Sequence, residues 1–267
     1  MAITDWALIK KHRGFFVWIA TKGLLFCRNV LQIRTTKVRL GGKTFKLDFF
    51  FALSGFNSWG ESAHNVGYRM LLAESSGKDV VFDVGAHIGL CTLPLALRAK
   101  KVYSFEPSTI NFQYLNRHIR YNKLRNVSSF AYLVGESDEP QVPFYESRDR
   151  VSGMSSVTNV YNQDIFTETT RRQIALDTFC SAKNIIPSLI KIDVEGAEFG
   201  VLRGAEKLIK KHKPIIVLSV HPAHLKALGE SASDLFTYCK KLGYKIIDER
   251  KKAVTSFKES EYLLIKK

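Results

Sequence analysis

Three carboxylates crowd one short stretch, IKIDVEGAE, which runs from Ile190 to Glu198. Ile190 and Ile192 alternate with Lys191 behind Pro187, the pattern of a strand entering a core. Asp193, Glu195 and Glu198 follow where that strand must end. Acids at such an exit, set around a Gly196–Ala197 step, can take up a proton or hold a polar ligand. A second stretch, DVGAHIG from Asp83 to Gly89, brings Asp83, Gly85, Ala86, His87 and Gly89 to another strand-to-helix turn, and Glu106 ends the strand after it. His221 closes a further strand, PIIVLSVHP.

The elements that must position these groups follow from hydrophobic periodicity. TTKVRLGGKTFKLDFFF predicts a hairpin turning at Gly41–Gly42, and residues 52–79 predict loop and helix. From residue 80 strands and helices alternate. Strands are expected at 80–85, 101–107, 127–134, 188–196, 214–222, 244–249 and 261–267; helices are expected at 90–99, 108–122, 198–212 and 231–242. Such alternation implies a mostly parallel sheet covered on both faces, with ligands bound at the carboxyl ends of its strands. Residues 135–187 carry little pattern beyond a Gly/Ser-rich stretch, VSGMSSVTN, suited to a lid.

The spacing at the first turn, G-x-x-x-G behind Asp83, departs from the G-x-G-x-x-G of dinucleotide sites. A pyrophosphate calls for bare amides at a helix N-terminus. An added carboxylate suits a ligand with an ammonium group, as in S-adenosylmethionine, whose ribose hydroxyls Glu106 would accept. Methyl transfer from a sulfonium needs orientation and a place for the acceptor's proton. Asp193 is the first candidate for that base, His221 the second and Glu195 the third. Glu198, in the first turn of a helix, is expected to be structural. Asp177 either reaches the site or caps a helix. Asp193, Glu195 and His221 would also suit a divalent cation, but no tight ligand spacing demands one, and no metal is expected. His12, His64, His118, His212 and His224 carry no chemical signal of their own.

Forty basic residues against 25 acidic give a net charge of +15, and residues 1–46 alone hold ten Lys or Arg and one acid, 10 − 1 = +9. Such an excess calls for an anionic partner or a solvated surface. Residues 14–27, GFFVWIATKGLLFC, are too short and too broken by Lys22 for a membrane span of roughly 20 apolar residues. An imperfect basic amphipathic helix fits better, either lying on an anionic membrane through residues 1–32 or covering the catalytic domain. Cys27, Cys91, Cys180 and Cys239 are widely separated, which favours a reducing, cytoplasmic setting, with peripheral membrane contact left open. No base-flipping motif or nucleic-acid module is found, which stands against a nucleic-acid substrate.

The segments VVFDVGAHIGLCTLPLA, VYSFEPSTINFQYLNRHIRYNKLRNV, LDTF, IKIDVEGAEFGVLRGAEKLI and PIIVLSVHP, in this order, resemble the FkbM-type methyltransferases, a branch of the class I S-adenosylmethionine-dependent enzymes. The resemblance covers about residues 60–225, and His87 stands where that family typically has Asn. It implies a Rossmann-like α/β sheet of seven strands with the last antiparallel. It also implies O-methylation of a hydroxyl on a sugar, a lipid-linked or another small-molecule acceptor. By the same resemblance Asp83, Gly85, Ala86, His87, Gly89 and Glu106 are cofactor contacts, while Asp193 and Glu195 belong to the active centre. A basic extension is expected over residues 1–55, and the catalytic domain over 56–267. A nucleic-acid methyltransferase and a non-catalytic S-adenosylmethionine-binding module are the alternatives.

Overall fold

The computed structural model describes residues 23, 30, 32–52, 54, 56, 59–60, 66–147, 155–157 and 166–267. The expected amphipathic helix, Cys27, His12 and His64 lie outside them, as does most of the Gly/Ser-rich stretch. Among the described residues no helix is long and apolar enough to cross a membrane.

The chain begins with the expected hairpin, β1 (Thr35–Leu40) and β2 (Lys43–Asp48). Gly41 and Gly42 turn it with φ of 54° and 79°, left-handed values that glycine adopts without a Cβ penalty. Helix α1 (Val66–Ser75), strand β3 (Val80–Val84), helix α2 (Thr92–Ala96), strand β4 (Lys101–Phe105), helix α3 (Thr109–Tyr121) and strand β5 (Val127–Phe130) follow. Then come β6 (Leu133–Val134), β7 (Glu139–Ser147), β8 (Phe166–Ile174) and α4 (Leu176–Lys183). The chain finishes with β9 (Leu189–Ile192), α5 (Glu198–Arg203), α6 (Glu206–His212), β10 (Ile215–Val220), α7 (Pro222–Ala227), α8 (Ala232–Lys241), β11 (Tyr244–Ile247) and β12 (Ser260–Lys266).

Seven strands form the main sheet in the order β11-β12-β10-β9-β3-β4-β5. β12 runs antiparallel to both its neighbours, while the β10–β9, β9–β3, β3–β4 and β4–β5 pairs are parallel. This is the expected Rossmann-like α/β sheet. Successive residues serve opposite faces: Phe82, Ile190 and Ile216 join one core cluster, Val81, Leu189 and Val217 the other. Burial on both faces explains why these strands read as nearly continuous apolar runs. Strand order reverses between β3 and β9, and ligands of open α/β sheets bind at such a point.

Five expectations need correction. The strand predicted at 127–134 is two: β5 stays in the main sheet, and β6 leaves it to pair with β8. The stretch read as poor in pattern holds β7 and β8, an antiparallel pair of nine-residue strands. Pro140 and Pro143 in β7, and a polar run in β8, hid the alternation. The helix predicted over 198–212 breaks into α5 and α6 at Gly204–Ala205, and Gly204 lies against the chain at Gly135, where an added Cβ would come within 2.0 Å of a carbonyl oxygen. The first helix is also shorter than the 90–99 expected, and α7 was not foreseen.

The N-terminal hairpin is fastened to the domain. Val38, Leu40, Phe45 and Leu47 share a buried cluster with Ile88, Leu90 and Leu93 from the turn that follows β3. His118 on α3 ties the two together. Its Nε2 accepts the Asp48 amide at 2.9 Å, and its Nδ1 lies 2.7 Å from the Ile88 carbonyl, to which it must donate. Asn122 bonds both backbone groups of Lys46, and Arg98 donates to the Gly41 carbonyl.

Burial pushes the His118 pKa down to about 4. Below its ordinary value of 6.5 the unfolded chain takes a proton that the native ring refuses until about 4. Stability is therefore present above 6.5 and lost as pH falls through that window, by roughly 3 kcal/mol from this residue. Urea unfolding of the His118→Gln variant, less stable at pH 7, should show a shallower loss between pH 6.5 and 4; a slope equal to wild type would exclude His118 as the source.

Candidate active site

The site is assembled where β3 and β9 lie side by side. Asp83 and Lys191 are register partners across these strands, both buried, with Nζ 3.3 Å from Oδ1. Thr92 donates to the other Asp83 oxygen at 2.6 Å, and Ser104 of β4 lies 3.0 Å from the Thr92 hydroxyl. Lys191 also donates to the Gly85 carbonyl at 2.6 Å and stands 3.4 Å from Asp193 Oδ2. Burial opposes its charge, but Asp83 and Asp193 outweigh that and hold the ammonium above its usual pKa range. One lysine thus bonds the backbone of the first turn and faces the acid of the second.

Two cavities flank this point. The narrower, about 270 Å³, is lined by Gly85, Ala86, His87, Glu106, Asn111, Lys191, Asp193 and Glu195, and by Tyr132, Leu133, Val134 and Phe144 of the smaller sheet and its approach. The larger, about 1030 Å³, is walled by Ser219, His221 and residues of the β11–β12 connection. Gly85 and Ala86 turn the chain in the first cavity. His87 follows in a left-handed conformation, φ 52°, a region where Asn and His are enriched among non-glycine residues. Its amide donates to Glu106 Oε2 at 2.7 Å, and Ser108 donates to Oε1 at 2.9 Å. Burial nevertheless pushes the Glu106 carboxyl up to about 7. His87 Nε2 and Ser155 Oγ are both shielded from solvent without a hydrogen-bond partner among the described residues, and both residues line this cavity. Unmet polar atoms at a concave site are what a polar ligand satisfies.

Two sequence-predicted residues do not reach the cavity. Asp83 is fully buried, engaged by Lys191 and Thr92. Gly89 faces Leu115 of α3, where an added Cβ would approach Cδ1 to 2.9 Å, so it serves helix packing.

Asp193, Glu195 and His221 are brought together, as their positions at neighbouring strand ends implied. His221 Nε2 lies 3.7 Å from Asp193 Oδ1 and 3.8 Å from Glu195 Oε1. Glu198 is more than a first-turn acid. Fully buried, it meets His221 Nδ1 at 2.5 Å and accepts the Gly196 amide at 3.2 Å. Burial would lower the His221 pKa, but the Glu198 bond and the charges of Glu195 and Asp193 raise it to about 9. That shift favours the charged ring over a ring free to accept a proton. Burial pushes Glu195 up to about 7, while Lys191 and His221 hold Asp193 below its ordinary value against burial. His224, read as silent, is buried with Nε2 3.3 Å from Glu195 Oε2. Asp177 caps α6, accepting the amides of Lys207 and Leu208 at 2.9 and 2.7 Å, and takes no part in the site.

Sequence reasoning missed Lys191, Glu198 as a partner of His221, and His224. A lysine inside an otherwise apolar central strand was the signal for the first, since buried lysines are rare without a partner. The smaller sheet closes the site from above. Ser156 pairs with Tyr145 of β7 and donates its hydroxyl to the Glu195 carbonyl at 2.8 Å. Arg171 of β8 bonds Glu146 and the Pro107 carbonyl, which fixes this sheet to the start of α3.

The family model described as the methyltransferase FkbM domain matches residues 83–246. A curated relative, Methyltransferase 1 of Beauveria bassiana (strain ARSEF 2860), is 26% identical over 144 residues, covering 47% of this chain and 58% of that protein. Among solved structures, the methyltransferase FkbM from Methylobacillus flagellatus KT aligns with a TM-score of 0.46 and 21% identity, over 71% of this chain and 44% of that one. SMU.1697c, a methyltransferase-like protein from Streptococcus mutans in complex with SAH, aligns with a TM-score of 0.43 and 11% identity, over 73% and 92%. The chain thus spans about half the length of the first two of these relatives.

Lys191→Met should leave Asp83 buried without its cation and destabilise the protein by about 3–5 kcal/mol in chemical denaturation. Adding Asp83→Asn should recover part of that loss. A single variant within about 1 kcal/mol of wild type would show that the pair does not hold the sheet ends together.

Proposed function

The chain belongs to the methyltransferase FkbM domain family, and from that premise we propose that it transfers a methyl group from S-adenosylmethionine to a hydroxyl of a sugar, a lipid-linked or another small-molecule acceptor. The observation that carries this reading is the place of Asp193, Glu195 and His221. Asp193 and Glu195 line the narrower cavity and His221 the larger, so one cluster stands between a cofactor room and an acceptor room.

The first cavity fits the cofactor chemically. Glu106, fixed by two backbone amides, would accept the ribose hydroxyls, and the Gly85–His87 turn would hold the amino acid end. His87 Nε2 and Ser155 Oγ offer polar atoms that a ligand can pair. When bound, S-adenosylmethionine supplies an electrophilic methyl on a sulfonium that becomes a neutral thioether once the methyl has left. The chain's part is to aim the acceptor oxygen and receive its proton. Asp193, with Oδ2 toward Lys191 and Oδ1 turned to His221, is the carboxylate best placed for that. The His221 imidazolium orients the acids and balances their charge.

The larger cavity argues for a neutral acceptor. Asp248, Glu249, Glu259 and Glu261 line it against Arg250 and Lys258, so the mouth is acidic on a chain whose net charge is +15. Phosphodiesters would be repelled there, which weighs against a nucleic-acid acceptor. The basic excess sits largely in the extension of residues 1–55, in keeping with an anionic surface as its partner.

Glu106→Gln should weaken S-adenosylmethionine binding about tenfold by calorimetry, the value of a charge-assisted hydrogen bond. Asp193→Asn should lower turnover by about 100-fold, the scale of a lost proton acceptor. Incubation with labelled S-adenosylmethionine and a fractionated cell extract tests the acceptor class. Label in glycan, lipid or small-molecule fractions supports the reading; label confined to nucleic acid, or wild-type protein that fails to bind the cofactor, overturns it.

A further inference from the structure

We propose that Asp193, Glu195 and His221 form a binding site for one divalent cation of the magnesium–manganese class, between the two cavities. The inference rests on the methyl-transfer reading and adds to it a participant at the acceptor hydroxyl. It starts from the way the three side chains are held. Each is met from behind through one polar atom. Asp193 Oδ2 is 3.4 Å from Lys191 Nζ, Glu195 Oε2 is 3.3 Å from His224 Nε2, and His221 Nδ1 is 2.5 Å from Glu198 Oε1. The remaining atoms, Oδ1, Oε1 and Nε2, face one another.

Those facing atoms do not bond each other. Nε2 stands 3.7 and 3.8 Å from the two carboxylate oxygens, beyond hydrogen-bond range, and the three residues can offer ligand atoms within 4.8 Å of one another. Around a cation with bonds of about 2.1 Å, neighbouring ligand atoms lie roughly 3.0–3.4 Å apart. The two distances from His221 Nε2 therefore need to close by less than about 1 Å. Glu198 supplies an independent sign. It is an acid with no exposure, its Oε1 steers the ring nitrogen that faces away from the oxygens, and its Oε2 has no partner among the described residues. A carboxylate behind a histidine in this manner is how metal-ligating imidazoles are oriented and made more basic.

Two carboxylate oxygens and one imidazole nitrogen are a hard, mixed donor set, filling half of an octahedron and leaving positions for water or acceptor hydroxyls. Bound there, the cation would polarise an acceptor hydroxyl entering from the larger cavity. The O–H proton leaves to a neighbouring carboxylate or to water as the O–CH3 bond forms and the S–CH3 bond breaks.

Full-length protein freed of metal by a chelator would be titrated with Mn2+ alone, with free Mn2+ followed by electron paramagnetic resonance. One Mn2+ per chain with a Kd below about 1 mM, displaced by Mg2+, is expected. The Asp193→Asn/Glu195→Gln double variant should lose the site, and Glu198→Gln should weaken it by about 10- to 100-fold. Where a variant does not fold, Mn2+ broadening of the His221 ring resonances in wild type replaces it as the readout. No Mn2+ bound by wild type, equal binding by the folded double variant, or unbroadened His221 signals overturns the site. Calorimetry of S-adenosylmethionine on the same chelated protein separates the two readings: a protein that binds the cofactor but takes up no Mn2+ in the titration sinks the cation site alone, and one that takes up Mn2+ but does not bind the cofactor sinks the methyl-transfer reading.

Discussion

The buried pair between Asp83 and Lys191 is the interaction on which the rest of the site depends. Two charges placed in a sheet covered on both faces are costly, and neither tolerates loss of the other. Here the cost secures a connection that apolar side chains would not make. Lys191 reaches the Gly85 carbonyl in one turn and faces the Asp193 carboxylate in the next, while Thr92 and Ser104 continue the polar layer across β4. The Gly85 turn and the Asp193 carboxylate are thereby set at a fixed distance by the sheet itself.

Charge is distributed by function. The chain as a whole is strongly basic, yet acids gather where β9, β10 and the β11–β12 connection end. At the ends of β9 and β10 the acids have basic partners: Lys191 faces Asp83 and Asp193, and His221 faces Asp193 and Glu195. The acids that line the larger cavity are thus opposite in sign to the basic excess of residues 1–46.

Most of the sheet was legible because its strands are buried on both faces and so read as apolar runs, and the glycine turn was legible because Gly85 and its neighbours need left-handed backbone. The positions of Asp193, Glu195 and His221 followed from strand ends alone. What could not be read was pairing at a distance. β7 carries two prolines and β8 a polar run, so neither shows alternation until β6 swings out to meet β8. His118 gave no sign because its partners, Asp48 and Ile88, are 70 and 30 residues away. Glu198 satisfied a local rule, an acid in a first helical turn, and that adequate explanation concealed its bond to His221.

At Gly85 the backbone passes so close to β9 that an added Cβ would come within 1.8 Å of the Asp193 carbonyl oxygen. The two turns touch main chain to main chain, with no side chain between them to change rotamer. A side chain at Gly85 would therefore have to part β3 from β9 rather than shift a rotamer. Beside that contact, the tie between Ser156 and the Glu195 carbonyl is a single hydroxyl bond of 2.8 Å.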